Sequence, residues 1–176
     1  MAVLVQVGAT GSGIFSIYPS MDMDQEGENM LLKSADDKSK RLALLVELQS
    51  SANLDADQKR WLRDESIRLQ RGIQGEKDAA HYLDSHFKDG RNHVVMHDLR
   101  FVVDGQVAQI DHLVLNRMGH MYLIETKNFS GNVDVNEHGE FSVQYGRERF
   151  GIPSPLEQSR RHEPVLAKLL EQLGLS

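Results

Sequence analysis

Cysteine is absent from the 176 residues, which excludes a disulfide framework, a thiolate metal site and a cysteine nucleophile together. Such a chain suits a reducing compartment, and the cytoplasm is the expected location. Basic charge is in deficit: 20 Lys and Arg face 26 Asp and Glu, for a formal net charge of -6. That balance argues against coating nucleic acid by bulk charge, so any such contact has to be local. No apolar run nears the ~18 residues of a spanning helix, so no membrane partner is expected. The opening stretch has no basic residue before Lys33 and is broken by Gln6 and a glycine cluster. It reads as a short strand, Val3 to Val7, and a loop rather than a signal peptide. Aromatics are scarce at 6%, and the single tryptophan, Trp61, reads as helix packing rather than a base-stacking platform. What is present, 40% hydrophobic and 26% charged residues, fits one globular domain with a small extension.

Residues 19–30 are acidic and patternless, a linker. Ser34 and Asp37 resemble a capping box ahead of a helix whose apolar face carries Leu42, Leu45 and Val46. Asn53 to Asp57 breaks that helix, and Asp55 with Gln58 can cap the next. A stripe of Leu62, Leu69, Ile73, Ala80, Leu83 and Phe87 then implies one long helix, or two hinged near Gly72 and Gly75. After Gly90 the period becomes strand-like: 93–103, 106–115, 121–126, 132–135 and 140–145, with Asp104-Gly105 a two-residue hairpin signal. A last helix starts at Ser154, with Pro155 in its first turn, Glu157 completing a capping box, and Pro164 interrupting or kinking it. Leu166, Leu169, Leu170 and Leu173 form its buried side. The order predicts a mixed α/β domain.

Chemistry concentrates in one hairpin. Arg117-Met118-Gly119 fits a three-residue turn with Gly119 in the left-handed position, which pairs Asn116 with His120. Asp111 then lies opposite Glu125 on one sheet face, with Lys127 two residues on, while His112 points to the other face and reads as structural. Opposed carboxylates ~4.5–5.5 Å apart at Cβ repel unless neutralised, and a divalent cation is the simplest neutraliser. All-oxygen ligation favours Mg2+ or Mn2+. The same spacing also occurs on ordinary solvated hairpins, but Ile110, Leu113, Val114, Leu123 and Ile124 make these strands look buried on both faces. Glu76 falls either within the helical stripe, where a carboxylate needs a partner, or on its flank.

Four motifs in order, Gly72-x-x-Gly75-Glu76, Gln109-Ile110-Asp111-His112, Ile124-Glu125-Thr126-Lys127-Asn128 with Gly131, and Pro155-Leu156-Glu157-Gln158, resemble the nuclease-related domain (NERD) of the PD-(D/E)XK nuclease-like superfamily. The resemblance covers residues 71–176 and leaves 1–70 as an N-terminal extension of a short strand, linker and helices. It implies a restriction-endonuclease-like α/β core, a central mixed sheet flanked by helices. It implies a metal-dependent nuclease cutting DNA, or else RNA, in bacterial DNA processing. Asp111, Glu125 and Glu76 match the metal-binding acids, Lys127 the lysine that positions the attacking water, and Gln158 the glutamine of the following helix. Ile110 stands where the superfamily pattern has proline. A catalytically inactive nucleic-acid-binding or adaptor module on the same fold is the alternative.

From Tyr145 to Lys168, five basic residues (Arg147, Arg149, Arg160, Arg161, Lys168) meet three acidic ones, a local excess that can track phosphates or simply solvate a helix face. The helices over 40–87 are a further candidate surface, for a homodimer. The glycine cluster at 8–13 lacks the Gly-Lys-Ser/Thr ending of a phosphate loop.

Overall fold

Asp104 and Gly105 both take left-handed backbone, at φ +49° and +75°, as a type I′ turn requires. The turn joins β3 (His93–Val103) to β4 (Gln106–Asn116). The computed structural model describes the backbone of residues 2–9 and all of 31–87 and 89–175. The 19–30 linker lies outside the described residues, as does most of the glycine cluster.

β4 turns through Gly119 (φ +79°) into β5 (Met121–Asn128), and the two pair antiparallel from Leu115↔Met121 to His112↔Ile124. β1 (Ala2–Ala9) pairs antiparallel with the far side of β5, and β2 (Leu31–Lys33) runs parallel to β3. The result is a five-stranded mixed sheet in the order β1-β5-β4-β3-β2. β6 (Asn132–Val135), β7 (Phe141–Tyr145) and β8 (Glu148–Ile152) form a separate antiparallel sheet.

α1 (Ser39–Gln49) precedes α2 (Ala56–Phe87). The Ser34 capping box does not form: the helix starts at Ser39, whose N–H and hydroxyl both bond the Asp37 carboxylate. Asp55 and Gln58 do cap α2 reciprocally, at 2.8 and 3.0 Å. α2 is one uninterrupted helix, so Gly75 is not a hinge. A Cβ there would lie 2.7 Å from Asn128 Cβ, and its absence lets α2 settle onto β5. α3 (Pro155–Gln172) begins on the Ser154 cap and continues through Pro164.

The sheet is covered on both faces. Val95, Val114 and Ile124 pack against Leu83 and Phe87 of α2. Ile110, Leu113, Met121 and Leu123 pack against Leu166 and Leu170 of α3. Leu173, expected in that core, is exposed because it caps the helix C-terminus. Trp61 is 58% exposed rather than packed. No helix among the described residues is long and apolar enough to cross a membrane.

Strict alternation fails within β3 and β4. Met96 and Leu99 of β3 face the same α3-side cluster, as do Leu113 and Ile110 of β4, although each pair is an odd number of residues apart. The slip falls at Asp98, whose φ is +50°, and at Asp111. The pairs His97↔His112 and Leu99↔Ile110 bracket it and place Asp98 abreast of Asp111. Backbone irregularities of this kind re-aim the side chains at them. The expectation that His112 points away from Asp111 rested on unbroken alternation, which the slip interrupts.

Candidate active site

The β4–β5 pairing ends at His112↔Ile124, one step short of Asp111 and Glu125. Asp111 Oδ2 instead accepts the backbone N–H of Thr126 at 2.9 Å, fixing the carboxylate against β5. Asp111 and Glu125 are 6% and 3% exposed. Burial, then the neighbouring Glu125 charge, pushes the Asp111 pKa up to about 6 despite the Thr126 bond and the ammoniums of Lys127 and Lys38. Burial also raises Glu125, with Glu76 adding to the effect and Lys127 opposing it.

Lys127 closes the other side. Its ammonium donates to Glu125 Oε1 at 2.7 Å and to Gln158 Oε1 at 2.9 Å, so β5 and α3 meet at one cation. Gln158 lies one turn into α3, where the Ser154 cap and Pro155 set the start of the helix. Ser159, beside it, is buried and donates to Leu123 O at 3.4 Å, seating that turn on β5.

Glu76 projects from α2, on the turn that Gly75 seats against Asn128; Asn128 in turn donates to Arg71 O at 2.9 Å. Glu76 is half-buried and bonded to the ammonium of Lys38. Burial lifts its pKa, Lys38 opposes that, and Asp111 and Asp98 reinforce it. Lys38 also reaches Asp98 Oδ1 at 2.5 Å. Lys38 and Asp98 were not singled out from the sequence. Asp98 was legible there, because the Val103↔Gln106 turn pair counts back to it opposite Asp111. Lys38 had no local signal.

The arginines are dispersed. Arg149 pairs with Asp134 at 2.8 Å and Arg160 with Glu157 at 2.6 Å, while Arg147 and Arg161 are exposed. A cleft of about 800 Å³ lies between β7, β8 and the start of α3, lined by Asp134, Arg149, Ser154 and Glu157; it contains none of the three carboxylates. On the α2 side of the sheet, Asp84, His97, His112 and Thr126 form a hydrogen-bonded row with contacts of 2.7–2.9 Å. Burial, and His97 beside it, pulls the His112 pKa down to about 4.

The family profile of the nuclease-related domain matches residues 71–176, more than half of the chain. The chain belongs to the nuclease-related domain family. Its core is accordingly a restriction-endonuclease-like α/β fold of the PD-(D/E)XK class. No curated protein and no solved structure matches it. The α2 helix runs unbroken across residue 71, so the nuclease-related domain and the residues before it share one helix as well as one sheet.

The donors of this nuclease-related site fit a hard divalent cation in kind, being carboxylate oxygens in a water-poor setting. In arrangement they are incomplete: among the described residues, no three His, Asp or Glu side chains are grouped to hold a metal ion. Asp111 and Glu125 are neighbours, whereas Glu76 is engaged by Lys38.

Proposed function

We propose that this nuclease-related domain is a Mg2+- or Mn2+-dependent nuclease hydrolysing phosphodiester bonds, in DNA rather than RNA by analogy with its superfamily. The observation that carries the reading is Lys127, an ammonium fixed between Glu125 and Gln158 beside a buried Asp111. A divalent ion held by Asp111 and Glu125, with Glu76 as third carboxylate, would supply an acidified water and Lewis acidity toward the phosphoryl oxygens. Lys127 orients the attacking water and offsets charge developing on the phosphate. Gln158 keeps that ammonium aimed, and the Thr126 N–H keeps Asp111 from rotating away. Arg147, exposed in the β7–β8 turn, and Arg161, exposed on α3, with Arg149 and Arg160 released from their acidic partners, would track the phosphates on either side.

Purified chain with Mg2+ or Mn2+ should nick or cut plasmid DNA. Lys127→Ala and Lys127→Gln should each lower the rate by roughly 10²–10³-fold with circular dichroism unchanged. Wild-type activity in a folded Lys127→Ala protein sinks the assignment.

A non-catalytic nucleic-acid-binding or adaptor module is favoured by a different observation: every carboxylate of the site already has a protein donor. That reading predicts salt-sensitive, metal-independent binding, lost in an Arg160→Ala, Arg161→Ala double variant and kept in Asp111→Ala. Leu44, Val46 and Leu48 on α1 and Trp61 and Ile67 on α2 are exposed, which supports a homodimer through these helices. Light scattering should then report twice the 19.9 kDa chain mass; a monomer at all concentrations overturns it.

A further inference from the structure

Lys38 sits outside the residues matched by the family profile, yet its ammonium lies in the carboxylate cluster. It is held there by a strap. β2 ends at Lys33, whose ammonium bonds His97 O at 3.0 Å and Asp36 Oδ1 at 2.8 Å. The Asp36 N–H donates to Asp98 Oδ2 at 2.8 Å. Two residues later Lys38 bonds the other oxygen of Asp98 and the Glu76 carboxylate. Asp98 therefore grips the strap by both oxygens, and the β3–β4 register places it beside Asp111.

The Lys38 ammonium occupies one oxygen of Glu76 and offsets its charge, so a divalent ion approaching that carboxylate meets a partly neutralised donor and a cation beside it. The ammonium is attached to the same chain, so its local concentration is high and independent of dilution. We propose that Lys38 is a tethered counter-ion that competes with the divalent cation for Glu76, so that the strap over residues 31–38 restrains metal loading of the nuclease-related site. This rests on the metal-dependent reading above and extends it to regulation: loading the third carboxylate requires the strap to give up Lys38. A partner or substrate that draws residues 31–38 away from β3 would then promote loading.

Mn2+ is titrated calorimetrically into the full chain, wild type and Lys38→Met, which keeps the aliphatic stem. Lys38→Met should bind Mn2+ about ten-fold more tightly or better, the scale of a competing linked equilibrium. Lys40→Met removes the same charge at an exposed position of α1, outside the strap, and its Mn2+ affinity should stay at the wild-type value. In wild-type protein, saturating Mn2+ should also speed hydrogen exchange at the Asp36 amide, which needs no variant to fold. Equal Mn2+ affinity in wild type and Lys38→Met, or an equal gain in Lys40→Met, overturns the competition and leaves the nuclease reading standing. Unchanged exchange at Asp36 on saturation overturns it too. Absence of Mn2+ binding in every protein, including Lys38→Met, defeats the metal-dependent reading itself and this inference with it.

Discussion

Asp111→Asn is expected to abolish metal-dependent cleavage and, at neutral pH, to make the protein more stable than the wild type. The carboxylate is buried beside Glu125 and ionises near 6 instead of 3.8, so keeping it charged at pH 7 costs the folded state about 3 kcal/mol. Asparagine removes that charge and keeps an oxygen for the Thr126 N–H. At this chain length the melting temperature should rise by roughly 6–12 °C. A raised carboxyl pKa means the folded state binds the proton first, so the wild type recovers stability as pH falls from about 6 to about 4. Below that range both states are protonated and the variant's advantage vanishes. His112 works the other way. Its pKa, lowered from 6.5 to about 4, stabilises the fold above the ordinary value, and this is lost as pH falls through 4. In the wild type the Asp111 and His112 trends oppose each other; Asp111→Asn removes the Asp111 share, so acid destabilisation should steepen. Thermal unfolding at pH 7.5 and pH 4.5 measures both effects. A variant less stable than wild type at pH 7.5 contradicts the electrostatic argument.

Gly131→Ala should be the most damaging small substitution. A Cβ at Gly131 would stand 2.4 Å from the backbone oxygen of Gln144 and 2.8 Å from Val143 Cγ1. A backbone carbonyl in a strand pairing on both sides cannot step aside as a side chain can, so β6 and β7 must part. The cost should reach about 3 kcal/mol, the upper end for overpacking, or roughly 6–12 °C in melting temperature. Gly72→Ala gives the contrast. Nothing lies within 4 Å of a Cβ there, and the site is mid-helix, so the change should stabilise by about 1 kcal/mol. Urea midpoints of the two variants, measured together, separate a glycine required by contact from one that the helix only tolerates.

The sequence made the hairpins legible because their determinants are local. Asp104-Gly105 and Gly119 set turn geometry within a few residues, and the observed β4–β5 register follows the count made from that turn. The caps at Asp55 and Ser154 are local in the same sense. β8 escaped notice because its residues Glu148 to Phe150 are exposed and Gly151 adds no side chain, so no alternation of burial exists to read. β2 and Lys38 escaped for another reason. A parallel pairing to β3, more than sixty positions along the chain, leaves no mark on the residues around Leu31–Lys33. The approach of Asp111, Glu125 and Lys127 was visible in outline through spacing, and Gln158 only through the family resemblance. The neutralisation of Glu76 was not, since it depends on a lysine delivered from across the sheet.

The histidine row on the α2 side has a consequence for alignment. Val95 and Val114 alternate with His97 and His112 along β3 and β4, and Thr126 follows Ile124 on β5. Sliding any one of these strands by a residue would carry a histidine or threonine to the wrong face and leave its row neighbours buried without hydrogen bonds. An apolar row of similar residues would tolerate such a slide far more readily. The polar row thus acts as a key that admits one alignment of the three strands. Asp98, Asp111 and Glu125 inherit their juxtaposition from it, although among the described residues Thr126 is the one member of the row hydrogen-bonded to any of them.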